Sequence, residues 1–135
     1  MKETQEVTKN AITWIDTLFK TDKPQAHKRM GDTQSGFCCL GLGCWRLGIA
    51  YYSDDISSRK FSRAVGLDNS LGAPTIYHDE SVGSIKSLVS LNDEAQYNFS
   101  QIARRLVNHP DWYFKPNIAE GIKKHYENVN SNFQY

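Results

Sequence analysis

The sequence predicts a mainly α protein, α+β with at most a small β-hairpin: a compact single domain over residues 1–135, with about five or six short helices around a buried central helix at about residues 36–48. Three observations lead there. Apolar residues recur at three- and four-residue spacing in separate stretches, residues that start and stop helices lie at the ends of those stretches, and the run from Gly36 to Gly48 is apolar on every face. A chain of 135 residues is about one domain in length, enough to bury a core without disulfides or metal.

The elements follow in order. From about Thr4 to Lys20, the residues Val7, Ala11, Trp14, Ile15 and Leu18 form the stripe of an amphipathic helix. Thr21-Asp22-Lys23-Pro24 ends it, because proline disfavours a helical conformation in the residue before it. Gln25 to Ser35, with the turn-like Gly31-Asp32, reads as a loop or a short hairpin leading into the central helix. Ser35 is expected to cap that helix and Gly48 to end it in the left-handed conformation. Gly41 and Gly43 each cost about 1 kcal/mol relative to alanine inside a helix, so another backbone or a ligand is expected to come close there.

Ile49-Ala50-Tyr51-Tyr52 favours a short extended piece before a turn at Ser53-Asp54-Asp55. Ser57 or Ser58 then caps a short helix with Phe61, Ala64 and Val65 inward and Gly66 just past its end. The hairpin, if formed, draws on residues 25–34 with 49–54, or on 73–78. Val82, Ile85, Leu88 and Val89 indicate a helix over about Asp79 to Leu91, which Leu91-Asn92-Asp93 ends. Asn98 and Gln101 fit a capping box ahead of a stripe of Phe99, Ile102, Ala103, Leu106 and Val107. His109-Pro110 stops that helix, Trp112-Tyr113-Phe114 forms an aromatic patch, and Pro116 opens a last helix with Ile118, Ala119, Ile122, Tyr126 and Val129 inward. Residues from about 130 to 135 read as a frayed tail.

Composition narrows the function. Sixteen basic and fifteen acidic residues leave a net charge of +1, so no global field draws the chain to nucleic acid or an acidic membrane. Met1-Lys2-Glu3-Thr4 runs straight into a polar helix rather than a signal peptide, and no apolar run nears the roughly 20 residues of a membrane span. A cytoplasmic protein with no membrane partner is expected. Three cysteines are an odd number, two of them adjacent, and reduced buried thiols are the simplest state.

Phe37-Cys38-Cys39-Leu40-Gly41 with Cys44, then Val65-Gly66-Leu67, then Leu91-Asn92-Asp93 and Phe99-Ser100-Gln101-Ile102-Ala103 resemble a family of small uncharacterised proteins common in bacteriophage genomes and present in some bacteria. The resemblance covers roughly Gly36 to Leu106, through a "CCLG…C" core motif and a later "LND…F..IA" motif. Trp45 stands where that family more often has an acidic residue. The resemblance implies a virus-encoded accessory protein in the host cytoplasm and carries no catalytic residue with it. Such a protein is expected to counter host defence as a non-catalytic binder, sequestering a small signalling nucleotide or blocking a host protein, and to be a homodimer if its pocket spans a two-fold interface.

Two alternatives remain open at this level. One is a cysteine-dependent hydrolase or transferase using Cys38 or Cys39, since a helix N-terminus lowers a thiol pKa, although His27, His78, His109 and His125 form no dyad signature with a cysteine. The other is a nucleic-acid-binding host-takeover protein, which needs Lys28, Arg29, Arg46, Arg59, Lys60 and Arg63 to converge. The cysteine spacing does not match a structural zinc site, no phosphate-binding glycine loop is present, and no cofactor or metal is expected. The candidate ligand residues are Arg29, Trp45, Asn92, Asp93 and Arg104. Asn92-Asp93 can hold a hydroxyl, base or amine, and Arg104 or Arg105 can pair with a phosphate. Trp112, Tyr113 and Phe114 can stack on a base or close the core.

Overall fold

Nineteen residues form the opening helix, α1 (Lys2–Lys20), whose apolar stripe carries most of the tertiary packing. After it come β1 (Gly31–Asp32), β2 (Gly36–Phe37), α2 (Cys39–Leu47), α3 (Asp54–Val65), α4 (Leu88–Asp93), α5 (Phe99–Asn108), α6 (Pro110–Tyr113) and α7 (Pro116–Val129). This computed structural model describes residues 2–27, 31–32, 35–50, 54–68, 88–93 and 97–129. Among them the architecture is mainly α, as the sequence predicts.

α1 packs against α2, α3, α5 and α7, while α2 also meets α3, α4 and both strands. The core therefore has two centres, the stripe of α1 and the body of α2. Trp14 joins them: fully buried, it stands edge-on to Phe61 at 4.8 Å and to Phe114 at 6.2 Å. Its indole N–H donates to the Cys39 carbonyl at 2.9 Å, which satisfies the polar end that burial would otherwise leave unpaired. Burying side chains of this size stabilises by roughly 1.5–3 kcal/mol each, and Phe37, Leu40, Leu42, Phe61 and Ile102 add to the same cluster.

The central helix starts later than expected. Ser35 does not cap it; Gly36–Phe37 is a strand, and the cap is Cys38, whose Sγ accepts the Gly41 N–H at 3.3 Å. The cause is backbone pairing. Phe37 N–H donates to Pro24 O at 2.9 Å and Phe37 O accepts from Ala26 N at 2.7 Å, so Phe37 is held extended. Gly36 reaches that path at φ +99°, in the region that favours glycine. At the other end Gly48 has φ 73° and ψ 25°, the left-handed C-cap anticipated.

A short hairpin does lead into the central helix, with one strand inside 25–34, but its second strand differs from expectation. β1 pairs antiparallel with β2, Gly31 opposite Phe37 and Asp32 opposite Gly36, and of the expected partner 49–54 residues 51–53 lie outside the described residues. Ile49 N–H donates instead to Cys44 O at 2.8 Å and closes α2, while residues 73–78 lie outside the described residues. α3 begins at Asp54, so Ser57 and Ser58 are buried inside it rather than at its cap. The close approach at Gly43 is made by side chains: a Cβ there would meet the Phe61 ring and lie 2.8 Å from Trp14 Cδ1.

The part of the expected helix at Asp79 to Ser87 lies outside the described residues, as do Tyr51, Tyr52 and the tail from 130. Asn92 and Asp93 belong to the last turn of α4 rather than following it. The capping box at Asn98 and Gln101 is formed in both directions, each bond 2.8 Å. Pro110 ends α5 but opens the extra turn α6, which brings the described helices to seven. Tyr113 and Phe114 close the core, while Trp112 stays half-buried and stacks on His109 at 3.7 Å.

Candidate functional site

A cysteine-dependent enzyme would need an accessible thiolate among Cys38, Cys39 and Cys44. None of the three is in a disulfide, and all three are buried. Cys39 Sγ faces Leu88 O at 3.8 Å and Cys44 Sγ faces Ser57 O at 3.9 Å, both in the core. Burial pushes the Cys39 thiol well above its ordinary value, with further elevation from the neighbouring Cys38 and Asp93 charges. Burial likewise raises Cys44 to about 12. A nucleophilic thiol needs access and a lowered pKa, and these two have neither. Among the described residues no group of three or more His, Cys, Asp or Glu side chains could hold a metal ion.

Asn92 is a structural junction. It is fully buried, and all four hydrogen-bonding positions of its amide are filled from within the chain. Oδ1 accepts from Gln25 Nε2 at 2.8 Å and from Cys39 N–H at 3.1 Å. Nδ2 donates to Ala26 O at 2.9 Å and to Asp93 Oδ1 at 2.7 Å. Its backbone carbonyl meets His27 Nδ1 at 2.7 Å, a contact that needs the proton on Nδ1. Asn92 therefore ties α4, the start of α2 and the turn after α1 together, with no position left for a ligand, and Asp93 is part of the same junction.

Trp45 sits elsewhere, on the exposed side of α2, and at 37 % exposure it is a large apolar side chain left at the surface. Its indole stacks on the buried Phe37 ring at 5.8 Å and 28°. Lys23 Nζ lies 5.0 Å from the centre of the same indole. Around them opens a cleft of about 480 Å³ between the end of α1, the turn after it and the end of α2. Lys20, Lys23 and Arg46 line it as cations, Asp16 and Asp22 as carboxylates, and Thr13, Thr17 and Thr21 add hydroxyls. Lys20 and Arg46 occupy the last turns of their helices, where cations are favoured by the carbonyl ends. Asp16 Oδ1 accepts the Tyr126 hydroxyl at 2.7 Å and so ties α7 to α1. The volume falls within the range of small-molecule sites, and an aromatic face beside convergent polar groups is their usual chemistry.

A larger groove of about 670 Å³ runs between α1 and α7, bordered by Lys9, Ile12, Glu120, Lys124 and His125. Among the described residues, no aromatic ring other than the His125 imidazole borders it, and that ring stands edge-on to Tyr126 at 4.8 Å.

Of the four candidate residues that are described, Trp45 alone lines the cleft. Asn92 and Asp93 form the internal junction, Arg104 is exposed on α5, and Arg29 lies outside the described residues. Next to Arg104, Arg105 is the arginine with the organised contacts: its Nε donates to Tyr113 Oη at 2.8 Å and its guanidinium lies 5.3 Å from the Trp112 ring. The sequence reading missed Lys20, Lys23 and Gln25. The adjacent pair Trp45-Arg46 was a local hint, but only the docking of α1 on α2 brings Lys20 and Lys23 to it. Of the basic residues considered for nucleic acid, Arg46, Arg59, Lys60 and Arg63 are exposed, and Lys28 and Arg29 lie outside the described residues.

No helix among the described residues is long and apolar enough to cross a membrane. Comparison with protein-family models, with curated proteins and with solved structures returns no match for this chain.

Proposed function

We propose that the protein is a non-catalytic binder of a small signalling nucleotide, with the Trp45 cleft as its ligand site, and that it acts as a phage-type accessory protein against host defence in the host cytoplasm. The observation that carries the reading is the cleft itself, where an exposed indole meets Lys20, Lys23 and Arg46. An aromatic face with cations beside it suits a base joined to a phosphate. The viral setting is supported by the resemblance of Gly36 to Leu106 to the phage family. Against the cysteine-enzyme alternative at Cys38 or Cys39 stand the burial of both side chains, the raised pKa of Cys39, and the use of Cys38 Sγ as the cap that accepts the Gly41 N–H. Against a general nucleic-acid binder stands the near-neutral charge of +1.

The exposed side chains Trp45 and Ile56 favour one second reading, contact with a host protein, because large exposed apolar residues mark interaction surfaces. A thermal-shift screen against cyclic di- and trinucleotides, ADP-ribose and NAD tests the first reading. A ligand that binds only the native state stabilises it by about 2.7 kcal/mol at a hundredfold excess over Kd. Native mass spectrometry of each hit reads the oligomeric state, a homodimer being the proposal, and the fate of the ligand. Recovery unchanged supports sequestration, and a new ligand mass makes the protein an enzyme. A blank screen removes the nucleotide reading in favour of a protein partner.

A further inference from the structure

We infer that a nucleotide enters the Trp45 cleft by exchange, its base replacing the Lys23 ammonium on the indole while its phosphate takes up Lys20, Lys23 and Arg46 as counter-charges. The inference rests on the nucleotide reading above and adds which part of the ligand is obligatory: the base, carried on a single phosphate or phosphodiester.

The indole is prepared for stacking. It is backed by Phe37, which is fully buried, at 5.8 Å and 28°, so its plane is fixed by the core while 37 % of the residue remains open. What lies over it is a lysine head group, 5.0 Å from the ring centre. An exposed cation–π contact of this kind is weaker than stacking of a nucleobase on an aromatic side chain, so a base displaces it. The root of Lys23 is held, its backbone N–H donating to Thr21 Oγ1 at 3.1 Å, while the four-carbon stem lets the ammonium swing to an incoming anion. The residue that vacates the ring thereby becomes a phosphate contact.

Charge sets the second limit. Three cations face two carboxylates in the cleft. That balance suits a single phosphate group and disfavours a polyphosphate, whose extra charges would meet Asp16 and Asp22.

The test is calorimetric titration of the full chain with AMP and 3′,5′-cyclic AMP, each carrying one phosphate group, with ribose 5-phosphate as the probe that lacks a base. The expected result is that a nucleotide binds and that Trp45→Ala weakens it about 5- to 150-fold, the range for loss of one base stack. Trp45→Phe keeps most of the affinity, and ribose 5-phosphate binds weaker than AMP by a similar factor. Lys23→Ala leaves the stack but flattens the salt dependence. If Trp45→Ala binds a nucleotide as tightly as the parent, or ribose 5-phosphate matches AMP, the exchange is overturned while nucleotide binding stands. If neither nucleotide binds, the exchange is overturned, and a blank thermal-shift screen across the cyclic nucleotides, ADP-ribose and NAD takes the underlying reading with it. Should Trp45→Ala fail to fold, the comparison of AMP with ribose 5-phosphate on the parent protein decides the question alone.

Discussion

Asn92 Oδ1 accepts the Cys39 backbone N–H at 3.1 Å, joining two residues 53 positions apart in the chain. The same amide donates to Ala26 O at 2.9 Å, so one side chain satisfies backbone groups of two other segments. Asn92→Ala leaves the Cys39 N–H and the Ala26 carbonyl buried without that partner, at about 1–3 kcal/mol each. A total loss of about 3–5 kcal/mol is expected, read as a lower urea midpoint at unchanged m-value. Asn92→Asp should not rescue it, because it replaces the donor with a carboxylate oxygen facing Ala26 O and the Asp93 carboxylate. A loss below about 1 kcal/mol for Asn92→Ala would contradict the junction.

Gly43→Ala tests how closely α2 is packed. The added methyl would meet the Phe61 ring and lie 2.8 Å from Trp14 Cδ1, and neither ring has room to retreat in a fully buried cluster. Overpacking of this kind costs about 1–3 kcal/mol, which outweighs the roughly 1 kcal/mol alanine gains over glycine in a helix. A net loss in thermal melting is therefore expected, whereas a helix limited by propensity alone would become more stable.

Signals that lie within one element are legible in the sequence, and those carried by partners from elsewhere in the chain are not. Asn98, Gln101 and the stripe of α5 are legible because every signal lies within one turn of the element it specifies. Gly48 is legible for the same reason. The start of α2 was misread because Phe37 is held extended by Pro24 and Ala26, partners that no local pattern announces. Asn92 reads locally as a helix end and is instead a junction, since its partners Gln25, Ala26 and Cys39 arrive from elsewhere in the chain. The cleft is half legible: Trp45-Arg46 is visible as a pair, but Lys23 reaches the indole only once α1 and α2 have docked.

Asn98→Ala removes an exposed capping box with little collateral packing. Asn98 Oδ1 accepts from Gln101 N–H, and Gln101 Oε1 accepts from Asn98 N–H, each at 2.8 Å. Loss of an asparagine cap costs about 1 kcal/mol. Amide exchange in the first turn of α5 should quicken, with Gln101 the first amide to show it, while exchange in α1 follows only the global loss. An unchanged Gln101 amide would contradict the assignment.

The thiols make the last prediction, one of accessibility and of pH. Cys39 and Cys44 are fully buried and hold their protons more tightly than ordinary thiols, so iodoacetamide at pH 8 should label them only after unfolding. Mass spectrometry of native and denatured samples reads this directly, and rapid native labelling of either would contradict their placement. The same burial fixes the sign of the pH dependence. Above the ordinary value of 9.0 the unfolded chain releases the Cys44 proton while the folded chain keeps it until about 12. The unfolded state then binds fewer protons, so stability is fully present below pH 9.0 and falls as pH rises through this window. Each such thiol contributes a slope of up to about 1.4 kcal/mol per pH unit. Tyr113 acts with the same sign above its ordinary 10.0, because burial raises its phenol more than Arg105 lowers it. Urea midpoints measured from pH 8 to pH 10.5 should decline, and Cys44→Ala should make the decline shallower even where it lowers the starting stability. A profile with the same slope in both proteins would place the titrating groups elsewhere.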